Sequence, residues 1–302
     1  MKHTLKVTAI ILVMFIITQF IGLFVVGFYF NHELPYGLGY SQPVEQSYAP
    51  AFISILIAFV IAISLVFLLT KFKSRFFLRL WFFVVVLIAL GVSFSSILFN
   101  FSTEYRLMSF IALLFALPIA LSKVYSRNLI SHNLSELLIY PGIAAIFVPI
   151  LNVFYLILLL VLISLYDMWA VWKSGIMQKM AKYQMDQLKV FSGFLIPYLT
   201  KQQRDKIKKL KIKNQNSKFV KKEIKVSAAI LGGGDVVFPI IASGVMLKAF
   251  SPNFIPAILV IIGAVLGLGF LFLISKKNKF YPAMPFISAG IFLAIGISYL
   301  IF

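Results

Sequence analysis

The sequence predicts an all-α fold, a polytopic transmembrane helical bundle of nine spans with its N-terminus cytoplasmic and its C-terminus outside. Three observations carry that expectation. The chain has 302 residues, of which 61% are hydrophobic and only 12% charged, and that balance lies outside the range of soluble domains. Apolar runs of about twenty residues, enough to cross a hydrocarbon core of roughly 30 Å, recur from end to end. Basic residues gather in alternate gaps between those runs, as they do in cytoplasmic loops.

Breaks of charge, proline, asparagine and glycine divide the chain into candidate spans at 7–30, 51–70, 79–100, 107–122, 132–148, 152–171, 226–247, 254–275 and 280–302. The first follows the basic start Met1-Lys2-His3-Thr4-Leu5-Lys6, which has the charge pattern of a signal peptide. Its apolar core is too long for one and ends without a small-residue cleavage site, so it reads as an uncleaved span. The fifth is the weakest, being short and interrupted by Glu136 and Pro141. Its neighbours support it.

With nine spans, one side of the membrane collects Lys2, Lys6, Lys71, Lys73, Arg75, Arg79, Lys123, Arg127, the basic residues of 173–225, and Lys276, Lys277 and Lys279. That side holds 26 basic residues, and the other holds only Arg106 and Lys248. An eight-span arrangement would destroy the asymmetry. The chain therefore divides into spans one to six (1–172), a basic cytoplasmic loop (173–225) and spans seven to nine (226–302).

A formal net charge of +19 brings nucleic acid to mind, but its distribution argues against that partner. Fifteen of the 28 Lys and Arg residues lie between Lys173 and Lys225, against three acidic ones, Asp186, Asp205 and Glu223. A loop of that kind suits the surface of anionic lipid. Within it, the apolar piece Val190 to Leu199 is expected to lie in the membrane interface. The chain has no cysteine, which removes disulfides and thiolate metal sites, and its histidines at 3, 32 and 132 have no metal-ligand spacing.

Only nine residues are acidic, yet Asp167 and Asp235 fall inside apolar runs. A charge in a span is costly, so each marks a candidate functional site. Two facing carboxylates that share one proton hydrolyse an amide without metal or cofactor: the ionised one deprotonates water while the protonated one polarises the carbonyl. Intramembrane carboxylates also relay protons or cations, and composition alone leaves a channel or transporter level with hydrolysis. The predicted directions set both aspartates in the cytoplasmic half, in neighbouring antiparallel spans. Asp167 lies six residues before Lys173, or about 9 Å along a helix, and Asp235 ten residues after Lys225, or about 15 Å. Tilt or unwinding at Gly232-Gly233-Gly234 would bring them level. Glu136 is expected to make a polar interaction near the membrane end of its span.

The local sequences separate the two uses. Tyr166-Asp167 ends the sixth span, Gly232-Gly233-Gly234-Asp235 lies in the seventh, and Pro282-Ala283-Met284-Pro285 opens the ninth. Their order and spacing, with a long basic loop between the first two, resemble the YD, GxGD and PAL motifs of the presenilin and signal peptide peptidase family, and the surroundings of Tyr166-Asp167 resemble archaeal members especially. The motifs cover about residues 150–290; the first five spans match in number and topology. The resemblance implies an intramembrane aspartyl protease acting on transmembrane peptides or single-pass membrane proteins.

Residue by residue, the resemblance implies a catalytic pair Asp167 and Asp235, surroundings shaped by Tyr166, Gly232, Gly233 and Gly234, and substrate positioning by Pro282, Ala283, Met284 and Pro285, with no metal and no cofactor. Met284 stands where the family has leucine, a volume-conserving change. Gly233 stands at a variable position commonly held by leucine. Prepilin peptidases also carry a GxGD motif, but they leave Pro282 to Pro285 unexplained. The cysteine-free composition, rich in Lys, Ile and Phe, fits a prokaryotic origin, and the resemblance implies a multi-pass protein of an archaeal cell membrane. The sequence does not name a natural substrate or an accessory subunit.

Overall fold

The computed structural model describes residues 5–39, 48–71, 75–99, 105–126, 128–174, 192–198, 227–275 and 281–302. Among them are nine α-helices: α1 (Leu5–Phe28), α2 (Tyr48–Lys71), α3 (Arg75–Leu98), α4 (Tyr105–Tyr125), α5 (Leu129–Phe147), α6 (Val153–Trp169), α7 (Gly233–Ala249), α8 (Ile255–Ile274) and α9 (Met284–Ile301). Seven of these are long and apolar enough to cross a membrane. Helix α7 is shorter, at 17 residues, and α2 has 24. The bundle expected from the sequence is the fold observed.

Local chemistry explains where several helices begin. Asn128 caps α5 by accepting from the Ile130 N–H at 3.0 Å, and Asn152 caps α6 by accepting from the Tyr155 N–H at 2.9 Å. Each side-chain oxygen satisfies a donor that the first turn leaves without a partner. Pro256 and Pro285 occupy the first turns of α8 and α9, where a missing N–H costs nothing.

Helix α7 is the centre of the assembly, touching α1, α5, α6, α8 and α9. The residues from Val236 to Leu247 on it are largely buried, and they join a core built from every one of those neighbours. Gln19 of α1 donates to the Val236 carbonyl at 3.1 Å, fixing the start of α7 from one side. At the far end Lys248 donates to the Pro149 carbonyl at 2.9 Å, which ties the close of α7 to the turn between α5 and α6. Outward-facing residues of α1, α3 and α4 such as Phe20, Trp81 and Phe110 are large, apolar and exposed, as lipid contact requires.

Two expectations are corrected. The seventh span does not begin as a helix at 226: residues Ser227–Gly232 form a strand, β2, and the helix starts at Gly233. The apolar piece at 190–199 supplies its partner, β1 (Gly193–Tyr198), rather than an interfacial segment. The two run antiparallel, with Gly193 opposite Gly232 and Tyr198 opposite Ser227. Phe194, Ile196, Ala229 and Leu231 turn into the core, so alternate side chains of both strands are what buries the hairpin. The rest of the basic 173–225 segment, beyond Ser174 and outside residues 192–198, lies outside the described residues.

Candidate active site

Asp167 lies in the last turn of α6, followed by a π-helical turn at Ala170–Ser174. Asp235 lies in the first turn of α7. The strand before α7 sets it there: the chain arrives extended through Leu231 and Gly232 and turns helical at Gly233, so Asp235 is not ten residues along a helix as the sequence implied. Helices α6 and α7 are in contact, which sets the two carboxylates near one another; Asp167 is buried while Asp235 keeps partial exposure.

The third participant is the start of α9. The Met284 N–H donates to Asp167 Oδ2 at 3.1 Å, and the Ala283 N–H faces the same carboxylate. Helix α9 has no side-chain cap of its own. Asp167 therefore caps it from another helix, placing a carboxylate where free N–H groups and the helix dipole favour negative charge. Pro285, which has no N–H, leaves its neighbour Met284 as the donor, and this gives Pro282-Ala283-Met284-Pro285 a structural role beside Asp167. One turn before Asp167, Ser164 donates to Ser288 of α9 at 3.0 Å, which pins the same pair of helices again.

The glycine segment is tightly bounded. A Cβ on Gly232 would lie 3.2 Å from Asp235 Oδ2. On Gly233 it would meet Ser192 Oγ at 2.7 Å and the Tyr140 ring and hydroxyl at 2.9 Å. Gly234 has more room, with Phe238 at ordinary contact distance. Tyr166, the other residue expected here, is about half exposed, and its ring meets Trp169 at a centroid separation of 6.3 Å.

Sequence reasoning missed the polar wall behind the hairpin. Glu136 Oε1 pairs with Lys123 Nζ and accepts from the Gly193 N–H at 3.1 Å. His132 Nε2 meets the Gly193 carbonyl at 2.9 Å, and Asn133 both donates to the Leu195 carbonyl and accepts from the Leu195 N–H, each at 3.0 Å. Four side-chain contacts from α5 thus occupy the outer edge of β1 much as another strand would. The expected polar interaction of Glu136 is present, and it anchors the strand opposite β2. Its signal was available: His132, Glu136 and Tyr140 recur every four residues and share one helix face.

Comparison with known proteins identifies the family and the fold. The family model described as "Signal-peptide peptidase, presenilin aspartyl protease" matches residues 10–302. Among solved structures, the chain is similar to that of a presenilin family intramembrane aspartate protease in space group C222, with 18% identity, a TM-score of 0.60, and 98% of this chain and 99% of that one covered. The P2 crystal form of a presenilin family intramembrane aspartate protease matches with 18% identity, a TM-score of 0.58, and 97% of each chain covered. At that identity the likeness is one of fold. No curated protein matches.

Proposed function

We propose, on the premise that this chain belongs to the signal-peptide peptidase, presenilin aspartyl protease family and is an intramembrane aspartyl protease, that Asp167 and Asp235 are its catalytic pair. The observation that supports this best is their convergence from the end of α6 and the start of α7, with the N-terminus of α9 closing on Asp167. One carboxylate takes a proton from water as it attacks the scissile carbonyl, and the other donates a hydrogen bond to the carbonyl oxygen. In collapse of the tetrahedral intermediate the first returns a proton to the leaving amine. Family membership favours hydrolysis, and ion transport draws no support from it.

A helical peptide bond is shielded and its backbone groups are paired, so the substrate must be extended where it is cut. The hairpin favours that state. The outer edge of β1 is occupied by α5, whereas β2 gives one edge to β1 and runs directly into Gly233-Gly234-Asp235. An extended substrate pairing with the other edge of β2 would bring successive peptide bonds toward Asp235. Gly232, Gly233 and Gly234 keep side chains out of that approach, and Pro282 to Pro285 shape the opposite wall; Tyr166 contributes at the periphery.

Charge asymmetry orients this proposal. A cytoplasmic N-terminus makes 173–225 a cytoplasmic basic loop between the six-span and three-span parts, and it directs α6 inward. Substrates then are single-pass proteins or transmembrane peptides with an outside N-terminus, presented in a membrane that the resemblance around Tyr166-Asp167 favours as archaeal. Reporter fusions that report the 173–225 loop outside would overturn the orientation. The catalytic pair is tested by incubating purified protein with a transmembrane peptide: Asp167→Ala and Asp235→Ala each abolish cleavage, and retained cleavage in either sinks the assignment.

A further inference from the structure

Tyr140 lies on α5 one turn beyond Glu136 and two beyond His132, and its side chain is buried. Its ring meets Phe194 of β1 edge-on at 5.9 Å. Its hydroxyl is turned toward the glycine segment, 2.9 Å from where a Cβ on Gly233 would stand. There it stands beside Glu136 and Ser192, and Asp235 Oδ2 lies 3.2 Å from where a Cβ on the adjacent Gly232 would stand, yet the hydroxyl forms no hydrogen bond of ordinary length and angle. Glu136 Oε2 is likewise without one, although Oε1 of the same carboxylate is held by Lys123 and Gly193.

A buried hydroxyl without a partner is destabilising, and phenylalanine would keep the ring packing without that cost. This chain uses phenylalanine freely, at 32 positions. The hydroxyl is therefore retained against the interest of the resting fold, beside a carboxylate that reacts. Gly233 fits the same picture. Any side chain there would occupy the space into which the hydroxyl points.

We propose that Tyr140 is a positioning residue for Asp235: across the glycine segment, its hydroxyl steadies the Asp235 carboxylate during turnover, with the Lys123–Glu136 pair and Phe194 fixing the ring. Asp167 has backbone donors from α9 for this purpose. Tyr140 supplies the side-chain counterpart on the other half of the site. The inference rests on Asp235 being half of the catalytic pair, and it names an element of the site that the sequence motifs do not contain.

The test uses the full chain in detergent with a cleavable transmembrane peptide, comparing wild type, Tyr140→Phe and Asp235→Ala. Loss of one hydrogen bond to a charged group predicts that Y140F lowers kcat by about tenfold or more. It leaves KM within about twofold, displaces the pH profile of kcat, and melts no lower than wild type, because an unpartnered hydroxyl has been removed. Wild-type kcat in Y140F overturns the inference, and so does a lowered melting temperature with activity lost in proportion, which would make the hydroxyl part of the fold. Activity in D235A would instead strike at the catalytic pair itself, so the two failures are distinguishable.

Discussion

Gly263 of α8 and Gly290 of α9 meet backbone to backbone: a Cβ on either would collide with the carbonyl of the other. Gly267 repeats the contact one turn on, against Phe286. Without a hydrophobic difference between helix surface and lipid, close packing of this kind is what holds two spans together. The consequence reaches the site, because α9 carries Met284.

Replacement of Gly263 by leucine should therefore do more than destabilise. Overpacking a close contact costs about 1–3 kcal/mol, and the displaced α9 would also withdraw the Met284 N–H from Asp167. Thermal melting in detergent is expected to fall, and kcat with it. Gly269, whose added Cβ would meet nothing within 4 Å, is the control: Gly269→Ala should leave both unchanged.

In the proposed mechanism Asp167 has two separable duties: it supplies a negative carboxylate for chemistry, and it accepts from the start of α9. Asparagine preserves the acceptor and removes the charge, whereas alanine removes both. Both Asp167→Asn and Asp167→Ala are expected to be inactive, but only the alanine variant loses the cap, at about 1 kcal/mol. The measurement is melting temperature. Equal values for the two variants would remove the capping role while leaving catalysis untouched.

The nine runs read from hydropathy coincide with the nine helices among the described residues to within four residues at every end but one. The exception, the start of the seventh, fails for a physical reason. Ser227 to Gly232 is apolar enough to continue a helix, and its strand partner, Gly193 to Tyr198, is nearly thirty residues earlier across a basic segment. Strand pairing at that separation leaves no local periodicity to detect. Asp167 and Asp235 stood out because carboxylates are rare in apolar runs, and Met284 because it sits in a motif. The donor it offers is its backbone N–H, which sequence does not display. Tyr140 was passed over because a tyrosine in a span is ordinary, even though its four-residue spacing from Glu136 aligned it with the polar wall.

That wall makes its own prediction. Lys123 and Glu136 form a buried ion pair, and losing one partner strands the other, a cost of about 3–5 kcal/mol. Lys123→Met and Glu136→Leu should each destabilise strongly, and the double variant should be more stable than either single one. Recovery will stop short of wild type, because the Gly193 N–H then loses its acceptor, which costs about 1–3 kcal/mol. A double-mutant cycle of melting free energies checks both parts, and additive singles would show that the two side chains are not energetically paired.

The sharpest sequence peculiarity is glycine at 233, where the resemblance implies leucine is common. A leucine introduced there would drive its Cβ into Ser192 Oγ, at 2.7 Å, and into the Tyr140 ring and hydroxyl. Ser192 is exposed and can turn aside, but Tyr140 is locked between α5 and Phe194. Gly233→Leu is thus expected to lose most activity and to lower the melting temperature. Trimming the obstruction should restore fit without restoring the hydroxyl, so Tyr140→Ala in the Gly233→Leu background is expected to regain stability while kcat stays below wild type. Melting and single-turnover cleavage of the four variants in that cycle decide it. If Tyr140→Ala gives Gly233→Leu no relief, the crowding at Gly233 comes from elsewhere.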